Sequence, residues 1–457
     1  MADLAALFSS IVGDTHLLTG DAISDDYGHD EALSFPPQRP SYLAKPATAE
    51  EVAGLLKAAS EHRIPVTARG SGCGLSGAAQ PVADGLLISF ERMNAIIEID
   101  TDNHVAVVQP GVTLIELETQ TTRVGLSYTV YPGELSSSVG GNVGTNAGGM
   151  RAVKYGVTRH NVLGLQAALP TGELIRTGGK MSKISTGYDL TQLIVGSEGT
   201  LALATEVTVK LVPRLSHSAT VLAPFGDFDQ VMAAVPKLIA SGLNPTIVEY
   251  IDNVVMAAIV NAEKLELGIP DQIRETCAAY LVVALESNHT DRLDEDAATL
   301  GGLLTDWGAL DAYVLQGNSA RRLIVARENV FWTAKAIGAD DIIDVVVPRA
   351  SMPEFLRRAR DIALTEGVAM SGCGHAGDGN VHGVLFCTDP QLRKKLLTEI
   401  FTLGMALGGA ISGEHGVGRA KAGYFCELED PAKLALMRRI KASFDPAGIL
   451  NPGVVFA

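Results

Sequence analysis

The chain of 457 residues is longer than one ordinary core and predicts two or three domains. With 47% apolar and 19% charged residues it is globular in composition, and its net charge of −16 argues against nucleic acid or a polybasic membrane anchor, both of which need clustered Lys and Arg. The five cysteines are odd in number, widely spaced and free of any CxxC pair, which argues against a disulfide framework and predicts reduced thiols in a cytoplasmic protein.

The opening Met1-Ala-Asp-Leu-Ala-Ala-Leu lacks a basic segment followed by a long apolar run, so no signal peptide is expected. No uninterrupted apolar stretch reaches about 18 residues, so no transmembrane helix is expected either. Residues 1–40 predict a helix and then an irregular polar stretch, and residues 47–59 a helix capped by Thr48 with Glu51 behind it. A short strand at 64–68 leads into Arg69-Gly-Ser-Gly-Cys-Gly-Leu-Ser-Gly77. Short strands follow at 86–90, 95–99 and 105–108, then a helix near 113–124 and a second glycine cluster at 132–149. Residues 165–169 and 174–177 straddle Pro170-Thr-Gly as a hairpin, and a strand at 202–211 ends before Pro213.

Near residue 217 the rhythm changes. Helices are expected at 228–239, 291–307, 321–337 and 352–365, with strands at 246–250, 280–285, 313–316 and 342–347. This alternation predicts a sheet with helices packed on one face. A strand ending near Ser371, a glycine turn and a strand at 381–387 come next, followed by helices at 392–410 and 431–443. No internal repeat is evident.

The first glycine cluster contains GxGxxG at Gly72, Gly74 and Gly77, but the helix that a Rossmann dinucleotide site requires does not follow. Two readings stay open for this segment: a backbone nest for a diphosphate, or a tight turn between strands. The second cluster is dense in glycine, asparagine and hydroxyl groups, and two such loops so close together point to a long, thin polar ligand.

Together with Lys154-Tyr-Gly-Val-Thr and Gly196-Ser-Glu-Gly-Thr-Leu201, these loops resemble the FAD domain of the vanillyl-alcohol oxidase/p-cresol methylhydroxylase superfamily, over roughly residues 40–456. The resemblance implies an α+β fold with a two-subdomain FAD-binding domain of the p-cresol methylhydroxylase type at 1–216. An α+β cap with an antiparallel sheet would occupy 217–425, and a tail at 426–457 would return to the FAD domain. It implies FAD contacts from Arg69, Gly70, Ser71, Gly72, Cys73, Gly74, Leu75 and Ser76 around the diphosphate. Pro132, Gly133, Ser138, Gly140, Gly141, Asn142, Gly144, Thr145, Asn146 and Gly148 would line the rest, with Tyr155, Gly156, Glu198, Gly199 and, from the tail, Asn451. The first loop has no His, and Ser136-Ser137-Ser138 stand where some relatives carry a flavin-linking Cys, so the FAD is expected to be non-covalent. Cys73 reads as a small packing residue rather than a redox thiol.

In Gly374-His-Ala-Gly-Asp-Gly-Asn-Val-His382 two histidines flank a glycine turn, which can bring both imidazoles to one point as metal ligands or leave them as ordinary core groups. Ser412-Gly-Glu-His-Gly-Val-Gly418 adds a carboxylate and a free imidazole on a glycine-hinged turn. Two His and one carboxylate would leave coordination positions open for substrate. These segments resemble the 2-hydroxy-acid dehydrogenase branch of the superfamily, which includes D-lactate dehydrogenase, the flavin subunit of glycolate oxidase and D-2-hydroxyglutarate dehydrogenase. The resemblance implies that His375, His382 and Glu414 hold a divalent metal, zinc or alternatively manganese, and that His415 is the general base. Arg327 would pair with the substrate carboxylate.

Relatives that act on hydroxyglutarate carry Thr, Lys and Asn where this chain has Phe331, Ile342 and Val384, which cannot pair a second carboxylate. D-Lactate or a longer apolar D-2-hydroxy acid is the expected substrate, a monocarboxylate in either case, with D-2-hydroxyglutarate and glycolate as alternatives. The electron acceptor is left open among a quinone, a cytochrome, an electron-transfer flavoprotein and oxygen, as is homodimerisation. A non-catalytic flavoprotein subunit and a metal-dependent hydrolase built on His375, His382 and Glu414 are the more distant readings.

Overall fold

The computed structural model describes residues 4–315 and 317–456, so the first three residues of the opening segment, Gln316 of the expected strand at 313–316, and Ala457 of the tail lie outside the described residues. The N-terminal half builds two sheets. In the first, strands Leu17–Thr19, Tyr42–Ala44, Leu86–Ser89 and Val66–Arg69 lie in that spatial order, the last three parallel. Helix Ala49–His62 covers it; the Thr48 side chain accepts from the Glu51 amide, so the expected cap forms. Phe8, Leu55, Leu56 and Ile88 fill the space between.

The second sheet is antiparallel, in the order Ile96–Asp100, Val105–Val108, Leu203–Lys210, Val162–Ala168, Leu174–Gly178. Helix Leu114–Thr122 packs on it, and Thr113 and Glu116 form a reciprocal capping box. The glycine-rich run at 132–149 is not all loop, since Val139–Thr145 is a helix. Ser138 caps it by accepting from the Gly141 amide at 3.2 Å, and Val139 and Val143 bury against the sheet core. That burial and cap offset glycine's weak helix preference, about 1 kcal/mol per residue.

The cap sheet has seven antiparallel strands in the order Tyr313–Leu315, His217–Phe225, Ala279–Ser287, Ile247–Asp252, Met370–His375, Asn380–Leu385, Asp341–Val346. Helices cover both of its faces, not one as the sequence rhythm predicted. Helices Phe228–Ala240, Thr290–Asp306, Met352–Thr365 and Pro390–Ala406 pack on the face that carries Val221, Leu281 and Val283. Helices Asn253–Glu263 and Gly317–Glu328 pack on the face that carries Leu222, Tyr280 and Ile251. The strands show why: Ile247–Asp252 is buried at every residue instead of alternating in and out. The helix expected at 321–337 is two, Gly317–Glu328 and Val330–Ala336, broken at Asn329.

After helix Pro431–Phe444 the chain returns to the first sheet. Leu450 bridges Val66 in parallel, and the Asn451 amide donates to the Val66 carbonyl at 2.8 Å. Asp445 accepts from the amides of Ile449 and Leu450 at 3.1 and 2.7 Å, which bends the tail into place.

Candidate active site

The two glycine clusters form opposite walls of one cavity. Of the residues expected to contact FAD, Gly70 to Leu75, Pro132, Gly133, Ser138, Gly140, Gly141, Asn142, Gly144, Thr145, Gly148, Glu198 and Gly199 line it. Small residues are required where the walls meet, because a Cβ on Gly70 would sit 2.0 Å from Ser138 Oγ. Two polar atoms in this wall, Ser137 Oγ and Asn142 Nδ2, are buried with no hydrogen-bond partner among the described residues. Bare amides, orphaned polar atoms and close-set glycines suit a ligand that brings its own acceptors and donors, as FAD does.

Six expected FAD residues stand outside the lining and brace it. The Arg69 guanidinium bonds the His29 carbonyl. Ser76 Oγ donates to the Gly416 carbonyl at 3.0 Å. Asn146 takes a left-handed conformation and accepts from the Arg159 amide at 2.9 Å. Gly156 ends the short helix that carries Tyr155, and the Tyr155 hydroxyl bonds Glu286 of the cap. Asn451 Nδ2 donates to the carbonyls of Ala78 and Glu198, both at 2.8 Å, tying the tail to the cavity wall. Within the wall, burial pushes the Cys73 thiol up to about 11, as suits a packing residue.

At one end of the cavity Glu414 and His415 join the lining. The ends of strands Met370–His375 and Asn380–Leu385 bring His375 and His382 there, as the glycine turn predicted. Their Nε2 atoms approach the same Glu414 Oε1, at 2.9 and 3.2 Å. Ligand atoms of His375, His382 and Glu414 all lie within 4.8 Å of one another, a nitrogen–oxygen set that suits a divalent ion such as zinc. A second group, Asp344, His382 and His415, meets the same distance. Asp344 there is already saturated with hydrogen bonds, so the first group fits a metal better.

Two buried carboxylates organise this end, and neither was anticipated from the sequence. Glu249, fully buried on the cap strand Ile247–Asp252, accepts from His375 Nδ1 at 2.6 Å. That bond fixes the tautomer and leaves Nε2 free to bind a metal. Burial pulls the His375 imidazole down, but Glu249 and Glu414 outweigh it and raise the metal-free group to about 10. The other Glu249 oxygen lies 2.6 Å from Arg327 Nη2. The distance marks an ion pair although the angle is not that of a hydrogen bond, and Arg327 Nε and Nη2 both remain without a hydrogen-bonding acceptor. Arg327 is thus charge-paired with Glu249, and it does not itself line the cavity that its neighbour Glu328 does.

His415 stacks on His382, with ring centroids 5.0 Å apart and planes 11° apart. Burial pushes its imidazole down to about 4, with His382 and Lys421 adding to the effect against Asp344, so it is neutral at pH 7 and free to accept a proton. Glu198, expected at the flavin, spends its carboxylate on the amides of Val417 and Gly418, both at 2.8 Å, and burial raises it to about 7. On the cap side of the cavity stand Glu328, Phe331 and Trp332. Phe331 also lines a small second cavity that includes Leu75, Ile342 and Leu397 beside the acidic Glu31 and Asp341. Ile342 and Val384, expected near the substrate side chain, are cross-strand partners.

Residues 214–455 match the family described as FAD linked oxidases, C-terminal domain, and residues 40–178 match an FAD binding domain. The chain is 72% identical over 456 residues to an uncharacterized FAD-linked oxidoreductase of Mycobacterium tuberculosis, covering 100% of this chain and 99% of that one. It is 38% identical over 443 residues to D-lactate dehydrogenase of Archaeoglobus fulgidus, covering 94% and 96%. The crystal structure of p-cresol methylhydroxylase with substrate bound superposes with a TM-score of 0.81 at 18% identity over 99% of this chain and 96% of that one, a likeness of fold.

Proposed function

The chain belongs to the FAD-linked oxidases as an FAD-dependent oxidoreductase of the 2-hydroxy-acid dehydrogenase family, and from that premise we propose that it oxidises a D-2-hydroxy monocarboxylate of the D-lactate type to the 2-oxo acid, assisted by a divalent metal. The observation that carries this reading is that Glu414 and His415 face the same cavity as the two glycine loops, with His375 and His382 converging on Glu414.

FAD supplies a two-electron hydride acceptor, and a metal held by His375, His382 and Glu414 supplies Lewis-acid polarisation of a hydroxyl. The protein does the rest. Arg327, ion-paired with Glu249, orients the substrate carboxylate. His415, neutral through burial, takes the hydroxyl proton as the C2 hydrogen leaves with its electron pair. Phe331 lines the cavity and offers nothing to a second carboxylate, and neither Ile342 nor Val384 supplies a polar group that could pair with one. We also place the division between FAD domain and cap at 216/217, with the tail from 426 onward.

The test is an anaerobic visible spectrum of the FAD-loaded protein, titrated with D- and L-lactate, glycolate, D-2-hydroxyglutarate and longer 2-hydroxy acids, with and without EDTA. Bleaching by D-lactate that is lost after EDTA and restored by Zn²⁺ is the expected result. A kcat/KM for D-2-hydroxyglutarate above that of every monocarboxylate overturns the substrate assignment. In His415→Ala, flavin stays bound but is no longer reduced; near-normal reduction removes the base assignment.

A further inference from the structure

The pair Glu414–His415 sits on a turn with no secondary structure of its own, yet both side chains must be aimed at one point. What holds the turn is the edge strand of the cap sheet, Asp341–Val346. Ala410 pairs with Val346 through two backbone bonds of 2.8 and 3.1 Å, and the Gly413 amide donates to the Asp344 carbonyl at 3.0 Å. The turn then wraps over the Asp344 side chain. One oxygen, Oδ2, accepts from three successive amides, Gly413 at 3.0 Å, Glu414 at 3.1 Å and His415 at 2.9 Å, and from Ser412 Oγ at 2.7 Å. The other oxygen accepts from Asn380 Nδ2 at 2.8 Å. Lys421 Nζ, 3.5 Å from Oδ2, balances the charge and also donates to Ser412 Oγ at 3.2 Å.

Asp344 is fully buried and is the cross-strand partner of His382. Its two oxygens lie 3.8 Å from His382 Nδ1 and 3.9 Å from His415 Nδ1, under the same edge of both stacked rings. One carboxylate thus touches the backbone of one proposed ligand, the backbone of the proposed base and the ring edge of a second ligand.

We propose that Asp344 is the positioning residue that aims Glu414 and His415, holding their turn in register with His382 by gathering its three amides on one oxygen. This rests on the reading of Glu414 as ligand and His415 as base. Charge-assisted bonds from three consecutive amides define the turn far more tightly than neutral ones. The close approach has its own requirement at Gly413, where a Cβ would lie 2.2 Å from Asn380 Nδ2 and 3.0 Å from Asp344 Oδ1.

The experiment uses FAD-loaded protein stripped of metal with a chelator and titrated calorimetrically with Co²⁺. Asp344→Asn keeps the shape and one acceptor but loses the charge; Gly413→Ala leaves Asp344 intact and pushes the turn off it. Both variants are expected to retain FAD at wild-type stoichiometry and bind Co²⁺ about ten- to hundredfold more weakly. At saturating Co²⁺ and D-lactate their flavin reduction stays at least about tenfold slow, because His415 is misaimed even when the metal is in place. Wild-type Co²⁺ affinity in Asp344→Asn overturns the proposal, and so does a reduction rate fully restored by metal saturation. A wild type that binds Co²⁺ but is reduced by no 2-hydroxy acid overturns the functional reading; a weaker Co²⁺ affinity in the two variants then still upholds the positioning role. Absence of Co²⁺ binding by the wild type overturns both.

Discussion

Glu249→Gln isolates one charge at the centre of the site. The substitution keeps size and shape but leaves Arg327, which is 7% exposed, facing an amide instead of the carboxylate 2.6 Å away. Removing one partner of a buried ion pair destabilises by about 3–5 kcal/mol, because the remaining charge stays buried without compensation. For a folding unit of the cap's size each kcal/mol lowers Tm by about 2–4 °C, so the expected drop is roughly 6–20 °C. The assay is differential scanning calorimetry in EDTA, so that metal plays no part. A double variant, Glu249→Gln with Arg327→Met, should recover part of the loss, since it removes the stranded charge as well. A Glu249→Gln protein melting within about 2 °C of wild type would refute the view that Glu249 and Arg327 depend on each other. The same variant should bind metal about 10–100-fold more weakly through the weakened His375 Nδ1 bond, as chelator competition would report.

Three further outcomes follow from the geometry. Cys73, raised to about 11 by burial, should react with iodoacetamide at pH 8 about 200-fold more slowly than an unperturbed thiol; mass spectrometry of native against denatured protein checks this, and equal rates would contradict it. Gly149→Ala should purify without flavin or not fold, as read from the 450 nm absorbance, because at φ +106° its Cβ would sit 1.8 Å from the Tyr131 carbonyl oxygen, which is backbone and cannot swing aside. Glu198 is raised to about 7, so its contribution to the stability of the FAD-free chain is full below its unfolded value near 4.5 and is lost as pH rises through 7. Unfolding free energies from urea titrations at pH 5 and pH 8 should therefore differ by about 2.5 kcal/mol more in wild type than in Glu198→Gln, and a parallel pH dependence of the two proteins would count against the assignment.

The sequence announced what depends on local chemistry. Thr48 caps the helix behind it, and the His375–His382 turn converges because glycines allow two strand ends to meet. Glycine clustering also marked both walls of the cavity, but it hid helix Val139–Thr145, whose support comes from burial of Val139 and Val143 rather than from propensity. Glu249 and Asp344 passed unnoticed because each is one acid in a short apolar strand, and a half-exposed strand tolerates such a residue on its wet face. Once the sheet is known to be covered on both sides, a carboxylate in Ile-Val-Glu-Tyr-Ile-Asp has no wet face to occupy and must have partners. A charge inside a near-continuous apolar strand was therefore the available signal. Arg327 was found, but its pairing with Glu249 was not, since 78 residues of sequence separate two side chains that only the packing of helix on sheet brings together.

The return of the tail bears on the order in which the protein can be made. Leu450 extends the sheet beside Val66, and Asn451 ties the Ala78 and Glu198 carbonyls together across the cavity wall. Synthesis runs from the N-terminus, so more than 370 residues intervene between Ala78 leaving the ribosome and the arrival of the side chain that braces it. The Glu414–His415 turn also emerges some 200 residues after Glu198, which grips it from the FAD domain. A nascent chain can assemble either glycine loop early, but the cavity and its reactive end are braced only once residues 450 and 451 have emerged. A ribosome-bound chain ending before residue 450 is thus a chain whose cofactor pocket still lacks its last brace.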